Sequence, residues 1–121
     1  MIKVVFCLRK RDDMTREQFF DYWHGHHAAL SHKTRAALGV RRYVQNLTIN
    51  SEVSAAANEA RGGTPEYDGV AEAWFDSVEG LTSGLGTEEG RNAMDIMFKD
   101  ESNFIDLKRS TFFLVKEYEI Y

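Results

Sequence analysis

The chain has one cysteine, Cys7, and one proline, Pro65, among 121 residues. A lone thiol excludes an internal disulfide and a cysteine-built metal cage. Cys7 falls in an apolar strand pattern, where a buried inert thiol is expected. No apolar run approaches the roughly 18 residues that cross a bilayer, so no membrane partner is expected. Positive charge is also scarce: 15 Lys and Arg face 19 Asp and Glu, for a net −4. A mildly acidic chain lacks the basic footprint that neutralises phosphates, so nucleic acid is excluded as a partner. The single basic run, Arg9-Lys10-Arg11, is answered at once by Asp12-Asp13 and reads as a solvated loop. GxGxxG, GxSxG, the P-loop, CxxC and HExxH are all missing, so no cofactor and no metal are expected. Residues 1–9 are too short for a signal peptide and lack a cleavage site, which predicts a cytoplasmic location.

What is present suits one globular domain over residues 1–121, with 43% hydrophobic and 28% charged residues. Residues 2–9 alternate imperfectly and carry apolar groups on both faces, the pattern of a strand covered on both sides. Thr15 with Gln18 three residues on forms a capping-box pattern that opens a helix. At 100° per residue, Phe19, Phe20, Trp23, His26, His27 and Leu30 share one stripe of it. The helix extends past Leu30 toward Ala37, and Gly39 is a natural stop. Residues 40–49 read as a second strand, with Tyr43, Gln45, Leu47 and Ile49 on one face. Residues 51–60 suit a short Ala-rich helix before the Gly62-Gly63-Thr64-Pro65 loop. A third strand spans 69–76, helices follow Ser77 and Thr87, and a last strand spans 112–120.

The order is β-α-β-β-α-β with a long insertion between the second and third strands, an α+β pattern of the ferredoxin-like type. Two helices cover one face of a four-stranded sheet. The first and last strands are apolar on both faces, so a second copy packed sheet against sheet is the simplest cover for the other. A homodimer through the sheet face is therefore expected.

Three of the four histidines lie in Trp23-His24-Gly25-His26-His27. His24 and His27 share helical spacing, but no cysteine or paired carboxylate completes a metal site nearby. On the apolar stripe, His26 and His27 read either as hydrogen-bonded core imidazoles or as general acids and bases lining a pocket. Tyr43 and Gln45 alternate on one strand face and turn their polar tips to a common space, or Tyr43 fills core volume. Glu72, between Val70 and Trp74, needs a partner: Arg41 or Arg42 across strands, or an imidazole that it orients. Asp68 and Asp106 suit turns and caps. With Trp23, Gln45 and Trp74, they are the candidates for contacting a small hydrophobic ligand.

Tyr22-Trp23, with His27 three residues before Leu30, resembles the W-x-x-x-H-G-P-L helix of EthD-domain proteins. Arg42-Tyr43-Val44-Gln45-Asn46 resembles their second strand, and Tyr67 to Ser77 their third. Phe104-Ile105-Asp106-Leu107 with Arg109-Ser110 resembles the approach to their last strand. The resemblance implies a dimeric α/β barrel made of two ferredoxin-like protomers. It selects His27, rather than His24 or His26, as the family's histidine, which joins Tyr43 and Glu72, read from their strands, as the catalytic candidates; Ala28-Ala29 stand where the family often has Gly-Pro. The functions it implies are mixed. They include cofactor-free dehydratases, decarboxylases and isomerases of small cyclic or aromatic compounds. They also include an accessory role in oxidative degradation, such as that of ethyl tert-butyl ether, without chemistry of its own.

Overall fold

The computed structural model describes all 121 residues. Four antiparallel strands form one sheet: β1 (Ile2–Leu8), β2 (Arg42–Leu47), β3 (Gly69–Phe75) and β4 (Thr111–Val115). Their order in space is β2-β3-β1-β4, with β1 and β3 central, which is the ferredoxin-like α+β arrangement. The register places Val4 opposite Ala73 and Leu114, and Val5 opposite Glu72 and Phe113. Side chains alternate across the pleat, so Val4, Phe6, Leu8, Tyr43, Gln45, Ala71, Ala73, Phe75, Phe112 and Leu114 share one face. Lys3, Val5, Cys7, Arg42, Val44, Asn46, Val70, Glu72, Trp74 and Phe113 share the other.

The chain from Arg16 to Leu38 is one continuous helix in three parts: α1 (Arg16–Tyr22), a π-helical turn (Trp23–His27) and α2 (Ala28–Leu38). Both halves of the Thr15–Gln18 capping box form at its start. Gly39 ends it in the left-handed region at φ 72°, which glycine adopts without steric cost. α3 (Glu52–Ala60) lies in the insertion and buries none of its residues. α4 (Val78–Leu85) and α5 (Glu88–Glu101) follow β3, and a short 3₁₀ turn (Leu107–Arg109) leads into β4.

The core sits between the first helix and the Leu8 end of the sheet. Leu8, Phe19, Trp23, Phe104 and Ile105 form its buried cluster, with Phe6 and Ala71 packed against it. The Trp23 ring lies so close to Gly69 that a Cβ there would stand 2.6 Å from it, so β3 must begin with glycine. Arg9 ties the insertion down by donating to the carbonyls of Pro65 and Glu66 at 2.9 Å.

Three expectations are corrected. The last strand stops at Val115 instead of 120, because its partner β1 runs out: Lys3 to Val115 is the final pair. The second strand spans 42–47, and Ile49 lies exposed beyond it. His26 leaves the apolar stripe, because the helix widens at Trp23. There the Ala28 N–H reaches the Trp23 carbonyl, five residues back. A wide turn advances each residue by about 80° instead of 100°, which carries His26 roughly 120° away from Trp23 while returning His27 inward. His26 accordingly has 59% of its side chain exposed, and His27 is buried at 5%.

Candidate functional site

His27 Nδ1 donates to Asp100 Oδ2 at 2.7 Å, joining the π turn to the last turn of α5. The Tyr22 hydroxyl donates to the other carboxylate oxygen at 2.5 Å, and the Asn103 amide reaches the same atom at 3.2 Å. His26 Nε2 stands 3.4 Å from Asp100 at the rim. The Phe104 ring lies 4.9 Å from the imidazole and 5.1 Å from the Tyr22 ring. This geometry sets the tautomer: the proton sits on Nδ1, and Nε2 keeps a free lone pair with no protein partner.

Burial lowers the His27 pKa below its usual value, against the pull of Asp100, so the ring is neutral at neutral pH. Burial works against the Asp100 carboxylate too. Hydrogen bonds from Tyr22, His27 and Asn103 outweigh it and hold that pKa below the usual Asp range. The pair is thus a carboxylate beside a neutral imidazole.

A second polar group lies on the helix-covered face of β2. Gln45 Nε2 donates to the Trp23 carbonyl at 2.9 Å and to the Tyr43 hydroxyl oxygen at 3.1 Å, while Gln45 Oε1 lies 3.3 Å from His24 Nδ1. Burial raises the Tyr43 pKa, although donors from Gln45 and Trp23 oppose it. On this face the small Ala71 and Ala73 are half-buried, and Ala71 packs against the core cluster.

Residues 11–108 match the family model for the EthD domain. The chain belongs to the EthD domain family. Among curated proteins, none matches it by sequence. In structure it is similar to an ethyl tert-butyl ether d (EthD) family protein from Bacillus halodurans. The identity is 21%, the TM-score 0.65, and the match covers 98% of this chain and 99% of that one. An EthD-like protein from Ralstonia eutropha gives 14% identity and a TM-score of 0.62, over 95% of this chain and 89% of that one. A dimeric ferredoxin-like protein of unknown function from Thermobifida fusca gives 13% and 0.56, over 94% and 88%. At such identities the likeness speaks for the fold.

The remaining candidates of this EthD domain take other places. Glu72 lies on the opposite face of the sheet from Tyr43 and away from His27. It accepts from Lys3 Nζ at 2.6 Å and from Asn46 Nδ2 at 2.8 Å, so its cation is Lys3 and not Arg41 or Arg42. Arg41 pairs with Asp76, and the Arg42 guanidinium stacks 4.6 Å over the Trp74 ring. Trp74 donates from Nε1 to Glu117 on that same face, and Trp23 is 1% exposed within the core. Asp68 accepts from the Lys10 backbone N–H at 2.8 Å. Asp106 stands 3.7 Å from Arg109, and its carbonyl accepts from Ser110 Oγ. Both serve the chain's own turns. The carboxylate that holds the imidazole is Asp100, which the sequence reading missed. The signal was an acid at the end of an amphipathic helix, where the helix dipole disfavours negative charge, on the stripe through Ala93 and Met97. No cluster of His, Cys, Asp and Glu has the geometry to hold a metal ion, and no helix is long and apolar enough to cross a membrane.

Proposed function

We propose that this EthD protein is a homodimeric, cofactor-free acid–base enzyme of the dehydratase, decarboxylase or isomerase type, acting on a small hydrophobic cyclic or aromatic compound. The observation that carries the reading is the 2.7 Å bond from His27 Nδ1 to Asp100, with Nε2 left over. A carboxylate fixes the tautomer and orientation of the ring and stabilises the imidazolium that forms when Nε2 takes a proton. A neutral imidazole at neutral pH is ready to act as base, and it returns the proton as acid. The half-buried floor of Ala71 and Ala73, flanked by Phe6 and Tyr43, suits an apolar ring.

The dimer is supported by the open face and by β4. Val5, Val44, Val70, Trp74 and Phe113 crowd the face away from the helices, and Phe113, on the edge strand, is 43% exposed. A second copy laid sheet to sheet removes that apolar area from water. Sedimentation equilibrium at micromolar concentration yields twice the 13.9 kDa chain mass on this reading. A monomer overturns it.

Ligand-observed NMR with small phenolic acids, quinones and lactones finds the ligand class, and turnover of the hit is then measured. His27→Ala lowers turnover by about two to four orders of magnitude while binding persists. A non-catalytic binder is the second reading, and the 5% exposure of His27 favours it. Binding without turnover in the wild type, unchanged in His27→Ala, decides for that reading.

A further inference from the structure

Arg16, Phe20 and His24 follow one another at four-residue spacing and share one side of the first helix. Gln45, Leu47 and Ile49 follow at two-residue spacing along β2 and just past its end. The two rows meet. His24 Nδ1 lies 3.3 Å from Gln45 Oε1, Phe20 and Leu47 line one cleft, and Arg16 Nη2 donates to the Thr48 carbonyl. Thr48 is itself held: its N–H donates to the Asp68 carbonyl at 3.1 Å and its hydroxyl to the Tyr67 carbonyl at 2.6 Å. The cleft between the rows measures about 350 Å³, and Glu17, Ile49 and Asn50 complete its lining with Arg16.

Several groups here have binding capacity that the fold does not use. Arg16 bonds to one backbone oxygen and joins no ion pair, so most of its guanidinium N–H groups remain. Leu47 is 38% exposed and Ile49 74%, beside the half-buried Phe20 ring. The Gln45 amide is oriented by the Trp23 carbonyl, to which its Nε2 donates, so its Oε1 faces the imidazole and His24 Nδ1 carries the hydrogen. His24 Nε2 is left for another molecule. The His24 ring lies flat on that of Phe20, with 5.1 Å between centroids and 12° between planes, which keeps it at the end of the row. Arg16 and His24 stand two helical turns apart, about 12 Å along the axis. His27 takes no part, since its partner Asp100 lies on α5.

We propose that this cleft is a second binding site, for a flat aromatic monocarboxylic acid with a hydroxyl at the end away from the carboxylate. The carboxylate accepts from the free N–H groups of Arg16, whose planar fork matches it. The ring lies against Phe20, with Leu47 and Ile49 on its other side. The hydroxyl donates to His24 Nε2. Glu17, on the same lining, limits the charge: it repels any anion, so one carboxylate is tolerated at the Arg16 end and a dicarboxylate or phosphate is not. No bond is made or broken in this site, and it stands or falls apart from the acid–base reading of His27.

The test titrates para-hydroxycinnamate into the isotope-labelled full chain and follows the backbone amide shifts by NMR. Saturable shifts centre on Phe20, His24, Leu47 and Ile49. The acid binds about 10-fold more tightly than its neutral amide, and Arg16→Gln weakens the acid by about 10-fold and abolishes that preference. Glu17→Gln tightens the acid. His24→Phe keeps the ring stack and removes the preference for para-hydroxycinnamate over cinnamate. Melting curves serve as the fold control; Arg16→Gln keeps an amide donor for the Thr48 carbonyl. Equal binding of acid and amide to the wild type, or an unchanged affinity in a folded Arg16→Gln, overturns the proposal. Shifts that centre on Ala71 and Asp100 instead overturn it and place the acid beside His27, leaving the acid–base reading untouched. The absence of any saturable shift overturns it as well.

Discussion

The two faces of the sheet each hold a carboxylate whose pKa is pulled down, and they do so by different means. On the helix-covered side, Asp100 is 5% exposed and faces a neutral imidazole, a phenol and an amide. On the open side, Lys3 donates to Glu72 and holds its pKa below the usual range, with Asn46 adding a second donor and burial opposing them. An ammonium and a carboxylate simply cancel, and Glu72, held below its usual range, stays charged at neutral pH. An imidazole held by a carboxylate keeps one nitrogen for another molecule, and its proton is movable at neutral pH. The proposed proton chemistry therefore draws on the covered side, while the open face has the paired charges and apolar crowding that the proposed dimer would bury.

The sharpest way to break this contrast is to weaken the covered side's core. Trp23→Ala removes the largest buried side chain and is expected to cost about 3–5 kcal/mol, read as a lower urea midpoint. A midpoint near that of the wild type would move the core elsewhere. Next in size is Asp100→Ala, which strands His27 and Tyr22 without their acceptor. Two buried donors left unmade cost about 2–4 kcal/mol. Asp100→Asn retains more stability, because its amide oxygen still accepts one bond, yet on the proposed acid–base reading it loses turnover as sharply as His27→Ala does.

The smallest effect is expected on the open face. Glu72→Gln keeps an acceptor for Lys3 and loses the ion pair, at a cost of about 1 kcal/mol or less, since the pair is partly solvated. The sign with pH follows from the lowered pKa. The Glu72 contribution is present above the ordinary Glu range and is lost as pH falls through the lowered folded value, so wild type and variant converge in acid. A Glu72→Gln loss larger than that of Asp100→Ala would reverse the comparison.

Much of the fold was legible because it is written in periodicity. The alternation of Val4, Phe6 and Leu8, the Thr15–Gln18 cap and the Gly39 stop are local signals, and each sits where the chain uses it. The end of β4 was not legible, since it depends on where β1 begins, more than a hundred residues away. The site was legible in part. His27 stood out by its stripe, but Asp100 lies 73 residues on and meets it only through the packing of α5 against the first helix. Glu72 looked buried from its neighbours Val70 and Trp74, but all three share the face away from the helices, where Lys3 and Asn46 meet the carboxylate. His26 was misplaced because a 100° step does not hold through a π turn.

That wide turn also governs which changes of length the first helix can absorb. It takes up one residue beyond what an ordinary helix would need between Trp23 and Ala28, like a shim between two joined rods. The parts before and after stay in phase with the same core: Phe19 on one side, Thr34 and Leu38 on the other, all buried. Loss of one residue at Gly25, which faces open space, lets the shim close into plain α-helix with both rods still seated. Loss of a residue between Ala28 and Thr34 has no such slack to draw on. It swings Thr34 and Leu38 about 100° out of the core. This chain can therefore shorten at the histidine turn and hardly at all beyond it, so the segment proposed to carry the chemistry is also the one where the helix tolerates a change of length.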